Sequence, residues 1–348
     1  MLVCDILGIK KAGDVGLELE IESLSPEKVP VPSPPWQIKA DESLRHFGYE
    51  YYTTRPIRCD STKLPAIKKL TDELRKCNLV FDSPRTSLHV HVNILEHTPL
   101  QVWTAAATYW LLDNLLIKFC GEDQRAGNVF CLRAKDSEAV IDSVLKDLKE
   151  DTPFASLRGD SVRYASQNIN AIHKFGSLEY RGMRGVIDHE IIDTWSTEMY
   201  NIVHKTKRFR NPADMLDTYL SVGTRDFLHM IFSCNFVLNL AAYPDMERLV
   251  KQNVGMLCSL CYAYDWDKWQ EKINKKTLKR AEKLNIFDEV APRRMQIRPR
   301  GPIVGNDYQD IQLQPDQPVG FQVGGGDARV PVEAQEFQVA PPARRYGD

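Results

Sequence analysis

Four short stretches of this chain place two strongly polar side chains two residues apart, each pair set among apolar neighbours. They are Glu18 and Glu20 in VGLELEIE, His89 and His91 in TSLHVHVN, Asn168 and Asn170 in QNINAI, and Glu179 and Arg181 in GSLEYRG. This alternation has the period of a β-strand, in which residues i and i+2 share a face about 6.6–6.8 Å apart. In the first stretch Leu17, Leu19 and Ile21 form the opposite face. Strands of this kind predict a sheet with aliphatic residues behind, to pack helices, and polar groups in front. A half-exposed strand showing polar groups to water would account for any single pair. Solvent-facing strands, however, favour Lys, Thr, Ser and Gln, whereas Glu-x-Glu, His-x-His and Glu-x-Arg are metal-ligand and phosphate-binding types.

Glu18 beside Glu20 is repulsive unless a cation lies between them, and carboxylate oxygens are the hard ligands that Mg²⁺ or Mn²⁺ prefer. Histidine joins such sites as a minority ligand. The planar guanidinium of Arg181 matches a phosphate in two-pronged fashion. Carboxylates, an imidazole, a divalent metal and an arginine are the parts of a phosphoryl-transfer site, where catalysis is mostly positioning and charge neutralisation. His-x-His also occurs elsewhere. A cupin would need glycine where Ser83 stands, and a strand where a long helix follows Glu96. A zinc amidohydrolase would need alternating β/α units, which this chain lacks.

Around these stretches the pattern predicts strands at 15–22, 36–41, 48–54 and 87–95, helices at 63–78 and 136–150, and a long helix from Pro99 to about Phe119. Residues 161–172 and 177–182 read as a hairpin joined by His173-Lys174-Phe175-Gly176. The proline-rich SPEKVPVPSPPW is a loop. From Val186 the pattern is helical, with helices expected over 212–242, 246–264 and 266–285. Beyond about Ala291 the chain turns rich in Pro, Gly and Gln and reads as an extended or disordered tail that is a candidate to bind a protein partner. The expected organisation is a domain over 1–290, strand-rich at 14–185 and helical at 186–290, followed by the tail 291–348. Its class is α+β, with a mostly antiparallel sheet packed by helices.

Composition excludes some roles. The 45 basic residues nearly balance the 47 acidic ones, so no basic excess points to nucleic acid. The most apolar segment, Val102 to Phe119, is interrupted by Asp113, Asn114 and Lys118, which fits a buried helix better than a membrane span. The N-terminus does not read as a signal peptide. A cytoplasmic protein is expected, and its 8 cysteines, Cys258 and Cys261 included, read as core residues rather than a zinc site.

Taken in order, VGLELEIE, KADESL, GYEYYTTRPI, TSLHVHVN and NINAIHKFGSLEYRGMRG resemble the amidoligase family, whose catalytic core is similar to those of glutamine synthetase and glutamate–cysteine ligase. The resemblance spans roughly residues 14–190. It implies an antiparallel sheet curved into a cradle that holds ATP and Mg²⁺ or Mn²⁺. By that match Glu18, Glu20, His89 and Glu179 are metal ligands, His91 helps hold the nucleotide's metal, and Arg181 binds phosphate, with Arg184 a weaker candidate for the same anion. Glu50 matches a carboxylate of the substrate or metal region, able to orient or deprotonate the amine, and Asp41 matches an aspartate after the second strand. The implied reaction joins a small-molecule or peptide carboxylate to an amine at the expense of ATP, through an acyl phosphate. Two other readings stay open: a non-catalytic binding or structural protein that retains the fold, and a metal-dependent hydrolase built on His89 and His91. Asn168 and Asn170 read either as substrate contacts or as satisfied polar groups, and His173 as structural or exposed. Arg125 reads as a phosphate ligand or a solvated helix end.

Overall fold

Alternating residues build the centre of the sheet. A computed structural model describes residues 1–290, apart from 11–12, 27–28, 122–124, 130, 137 and 159–163. The expected tail at 291–348 lies outside the described residues. Among the described residues seven strands form one sheet: β1 (Val15–Ser23), β2 (Trp36–Ala40), β3 (Phe47–Thr53), β4 (Val80–Phe81), β5 (Ser87–Asn93), β6 (Gln167–Asn168) and β7 (Ser177–Arg184). Their order is β2-β3-β1-β5-β7-β6, with β4 paired to the end of β1, and every pairing between them is antiparallel. The fold is thus mixed α and β around a mostly antiparallel open sheet, as the alternation predicted.

The back of the sheet is the core. Leu17, Leu19, Val90, Leu178 and Tyr180 are buried there. The Pro99–Phe119 helix packs behind β7, with the rings of Tyr109 and Tyr180 5.0 Å apart. Its start is a capping box: Thr98 accepts the Gln101 N–H, Gln101 reaches back to the Thr98 N–H, and Pro99 takes the first turn. The helix is buried on nearly every side because the His189–Lys205 and Pro212–Ile231 helices cover it in turn. Its polar interruptions are therefore inside. Asp113 accepts the Ala134 N–H and the Ser166 hydroxyl, and Asn114 donates to Asn253. No helix among the described residues is long and apolar enough to cross a membrane.

The Lys63–Arg75 helix is fastened to the His189–Lys205 helix by a buried lysine. Lys63 Nζ donates to the Asp193 carbonyl and to the hydroxyls of Ser196 and Thr197. Polar groups taken from water need such partners, and three of them match the three donors of an ammonium.

Several expectations change in detail. The 161–182 hairpin is not a simple one: β6 has two residues, and the connection contains the Ala171–Phe175 helix, which ends at Gly176 in the left-handed region (φ 64°). Ala171 and Ile172 turn into the core there, which a tight turn would not allow; residues 161–163 lie outside the described set. The 212–242 helix divides at Phe232, where Ser233 caps Cys234–Ala241, and the 246–264 helix divides into Met246–Lys251 and Val254–Cys261. All eight cysteines are free: Cys120, Cys131 and Cys261 are buried, Cys234 is exposed, and the rest are half-buried.

Candidate functional site

Register converts four separate sequence pairs into one polar surface. Directly opposed residues in an antiparallel pair share a face. Lys39 faces Glu50, and Glu50 faces Glu20. Tyr52 faces Glu18, and Glu18 faces His89. Gly16 faces His91, His91 faces Glu179, and Glu179 faces Asn168. Apart from Gly16, these rows line a cleft of about 1130 Å³ on the front of the sheet.

The groups in the middle are bonded to one another. His89 Nδ1 lies 3.2 Å from Glu18 Oε2, and its Nε2 lies 2.7 Å from the Ser87 hydroxyl. Ser87 in turn donates both its hydroxyl and its N–H to Glu20 Oε2, at 2.6 and 2.9 Å. His91 Nδ1 is 3.1 Å from Ser177 Oγ, and its Nε2 is 3.3 Å from Glu18 Oε1 without hydrogen-bond alignment. Glu179 accepts from Asn168 Nδ2 at 2.7 Å and from Arg181 Nη1 at 2.5 Å. At the cleft's edge Lys39 Nζ is 2.8 Å from Glu50 Oε1.

Charge balance follows from these contacts. Burial opposes ionisation of Glu18, but the hydrogen bond from His89 and the nearby charge of His91 and His89 outweigh it and hold the carboxyl far below the ordinary range. Burial likewise opposes charge on Glu179, yet His91, Arg181 and His89 keep its pKa low. His91 is raised in spite of burial by the Glu179 and Glu18 carboxylates. Glu50 moves the other way: burial and then the Glu18 charge push it up, against the pull of Lys39.

The donor set fits a divalent cation. Glu18, His91 and Glu179 each offer a ligand atom, all within 4.8 Å of one another. His91 is only 8% exposed, and its Nε2 has no hydrogen-bond partner among the described residues. A buried nitrogen left unpaired beside two carboxylates is what a ligand position looks like before the ion binds. Two hard oxygens and one imidazole suit Mg²⁺ or Mn²⁺.

A β-bulge aims the arginine. Leu88 pairs with Met183 and Val90 with Tyr180, so Arg181 and Gly182 together stand opposite the single residue His89. The extra residue swings Arg181 over the cleft, which it lines. It also leaves two carbonyls without ladder partners. Arg125 satisfies both, donating from Nη2 to the Arg181 carbonyl (2.7 Å) and from Nε to the Gly182 carbonyl (3.0 Å). Arg125 is 2% exposed, so it is neither a solvated helix end nor a phosphate ligand. Only the fold around it could have revealed this, because its partners are backbone carbonyls on distant segments, those of Thr86, Arg181 and Gly182.

The remaining candidates divide. Asp41, Asn170 and His173 line the cleft beside Glu50, Asn168 and Lys39. Asp41 is occupied by the N–H and hydroxyl of Ser43, and His173 Nε2 lies 2.5 Å from the Phe154 carbonyl. Arg184, past the bulge, is not among the residues of the cleft wall. Its side chain packs against Gly121, where any Cβ would meet Arg184 Cδ at 2.8 Å. The residues missed by sequence reasoning are Ser87, Ser177 and Lys39, which orient His89, His91 and Glu50. A hydroxyl two residues before His89 on the same strand face was the available signal.

Neither a scan against protein-family models nor a search of curated proteins finds a match for this chain.

Proposed function

We propose that this chain is an ATP-dependent carboxylate–amine ligase with a glutamine-synthetase-like core, of the amidoligase kind. The observation that carries this reading is the Glu18–His91–Glu179 donor cluster with Arg181 beside it, on the floor of a cleft of about 1130 Å³. That space exceeds the roughly 300–1,000 Å³ of a pocket for one drug-sized ligand, as a nucleotide and two further substrates require.

In this reading Glu18, His91 and Glu179 hold Mg²⁺ or Mn²⁺, with Glu20 and His89 next to them, and the ion supplies neutralisation of phosphate charge. Arg181 keeps Nη1 on Glu179, its Nε has no partner among the described residues, and the guanidinium would grip the transferred phosphoryl group. The carboxylate substrate attacks the γ-phosphate to give an acyl phosphate and ADP. The amine then displaces phosphate and leaves an amide. Glu50, whose pKa burial and then the Glu18 charge raise, would take the amine's proton in this reading. Ser87 and Ser177 fix the ring orientations of His89 and His91. Both nitrogens of His89 are engaged by chain groups, which favours this reading over a His-x-His zinc hydrolase.

The test is ADP formation by the full chain with Mg²⁺ or Mn²⁺, ATP, and pooled carboxylates and amines. Turnover that needs all four components is expected. A chain that binds zinc in stoichiometric amount but no nucleotide would overturn the reading, as would one that binds neither.

A further inference from the structure

A second, smaller cavity of about 160 Å³ opens beside the metal-ligating cluster at the head of β1 and shares Glu18, His91 and Phe175 with the main cleft. Gly16 lies in its wall, directly opposite His91. A side chain at position 16 would enter this space: its Cβ would stand 3.4 Å from His91 Cβ and 3.9 Å from Thr53 Oγ1, both in the wall. Glycine sits here inside a regular strand, at an ordinary backbone angle that any residue could adopt. What it contributes is space, and a strand glycine of this kind marks a place where a ligand comes close to the backbone.

The polar groups around the hollow are engaged within the chain. Thr53 Oγ1 accepts the Leu17 N–H, the Thr54 hydroxyl donates to the Pro35 carbonyl, and Asn93 Oδ1 accepts the Leu95 N–H. Asp14 takes the Cys59 N–H and a further interaction within the chain, and Glu18 is bonded to His89 and lies 3.3 Å from His91 Nε2. A cationic ligand end would find both carboxylates already compensated. An anionic one would find no lysine or arginine among the described residues of the wall. Charge buried without a partner is costly, so the occupant of the hollow is neutral. Pro56 and the Phe175 ring, 5.2 Å from that of His91, offer it apolar contact. A cavity of about 150 Å³ accepts a six-carbon ring, which sets the size.

The other end of such a ligand is decided by what lies next to the hollow. Gly16 is opposite His91 and two residues, about 6.6–6.8 Å, from Glu18 along β1. A divalent ion held there attracts a carboxylate and repels an ammonium. We infer that the hollow over Gly16 seats the aliphatic part of the carboxylate substrate, with its carboxylate toward the metal-ligating cluster, and that Gly16 sets the size limit. The substrate class is a carboxylic acid with a short, neutral aliphatic chain. Naming the occupant as a substrate rests on the ligase reading; the selectivity of the hollow does not.

Ligand-observed NMR titration of the full chain in Mg²⁺ tests it with acetate, 4-methylpentanoate, 5-aminopentanoate and glutarate. 4-Methylpentanoate is expected to bind at least about tenfold more tightly than the other three, the scale on which an apolar pocket discriminates. Gly16→Val fills the hollow and should bring 4-methylpentanoate down to the affinity of acetate. Gly16→Ala, whose Cβ fits at ordinary contact distance, should weaken it in part. Acetate, with no chain to seat, should bind all three proteins alike. With Mn²⁺ replacing Mg²⁺, the methylene beside the carboxylate of 4-methylpentanoate should broaden more than its methyl groups. Equal or tighter binding of 5-aminopentanoate or glutarate, undiminished 4-methylpentanoate affinity in Gly16→Val, or greater broadening at the methyl groups would each overturn the inference. The probe ranking in the unaltered chain decides the matter even where Gly16→Val fails to fold. Failure of the ligase reading shows separately, as absent ADP formation with the probe ranking intact.

Discussion

The two faces of the sheet are made by the same strands yet obey opposite rules. Behind, Leu17, Leu19, Val90 and Tyr180 are interchangeable in kind, and what matters is that volume is filled. In front, Glu18, Glu20, His89, His91 and Glu179 are buried or half-buried polar groups whose contacts are specific to the atom. The back contributes stability through water removed from apolar surface. The front gathers charge that the chain balances with imidazole and guanidinium groups. The difference teaches where function is concentrated: stability should be lost from one face and chemistry from the other.

That separation can be broken by mutation, beginning with the largest effect. Glu179→Gln removes a carboxylate oxygen from the Glu18–His91–Glu179 cluster and the charged partner of Arg181, and if the proposed ligase function holds it should lower ADP formation by about 10²–10³-fold, the scale for loss of one electrostatic stabiliser. Its urea midpoint should move far less than that of a core variant. A stability loss as large as the loss in rate would merge the two faces and defeat the comparison. Leu19→Ala, on the back, should cost about 2–5 kcal/mol in urea unfolding while the folded fraction keeps its Mn²⁺ affinity.

Arg125→Met tests the join between the faces, because it uncovers the Arg181 and Gly182 carbonyls. About 1–3 kcal/mol of destabilisation is expected, together with weaker nucleotide binding once the bulge no longer aims Arg181. Intact nucleotide affinity would show that the bulge holds without it. The smallest effect concerns pH. Burial pushes Asp113 up to about 6, against the Ala134 N–H and the Ser166 hydroxyl. A carboxyl raised on folding contributes stability that is complete below its unfolded pKa near 4 and lost as pH rises through 6. Asp113→Asn should therefore gain on the order of 1–2 kcal/mol relative to the parent between pH 5 and 8 in chemical denaturation. A constant difference across that range would rule Asp113 out as its source.

Much of the front face was legible because period-two alternation is a local property. Glu18 with Glu20, and His89 with His91, could be assigned to one face from spacing alone. The Lys63–Arg75 helix was legible for the same reason at period 3.6, and the Pro99–Phe119 helix from its opening proline and long apolar run. Arg184 shows where local reading stops. Past the bulge at Arg181–Gly182 it pairs with Ser87, but its N–H goes to the Cys120 carbonyl and its side chain packs against Gly121, contacts with a distant segment that the strand itself does not contain. The hairpin connection failed likewise, since Ala171 and Ile172 are drawn into a core that the segment itself does not contain.

The sequence by itself determined the two-faced strands, the helices that cover their back, and the residue types available for chemistry, because each depends on neighbours within a few positions. Tertiary structure alone decided the order β2-β3-β1-β5-β7-β6, which sets Glu18 against His89 and His91 against Glu179. It also decided the bulge at Arg181–Gly182 and the burial of Arg125 behind it. Those features are juxtapositions of distant segments, and no local pattern encodes which strand will lie beside which.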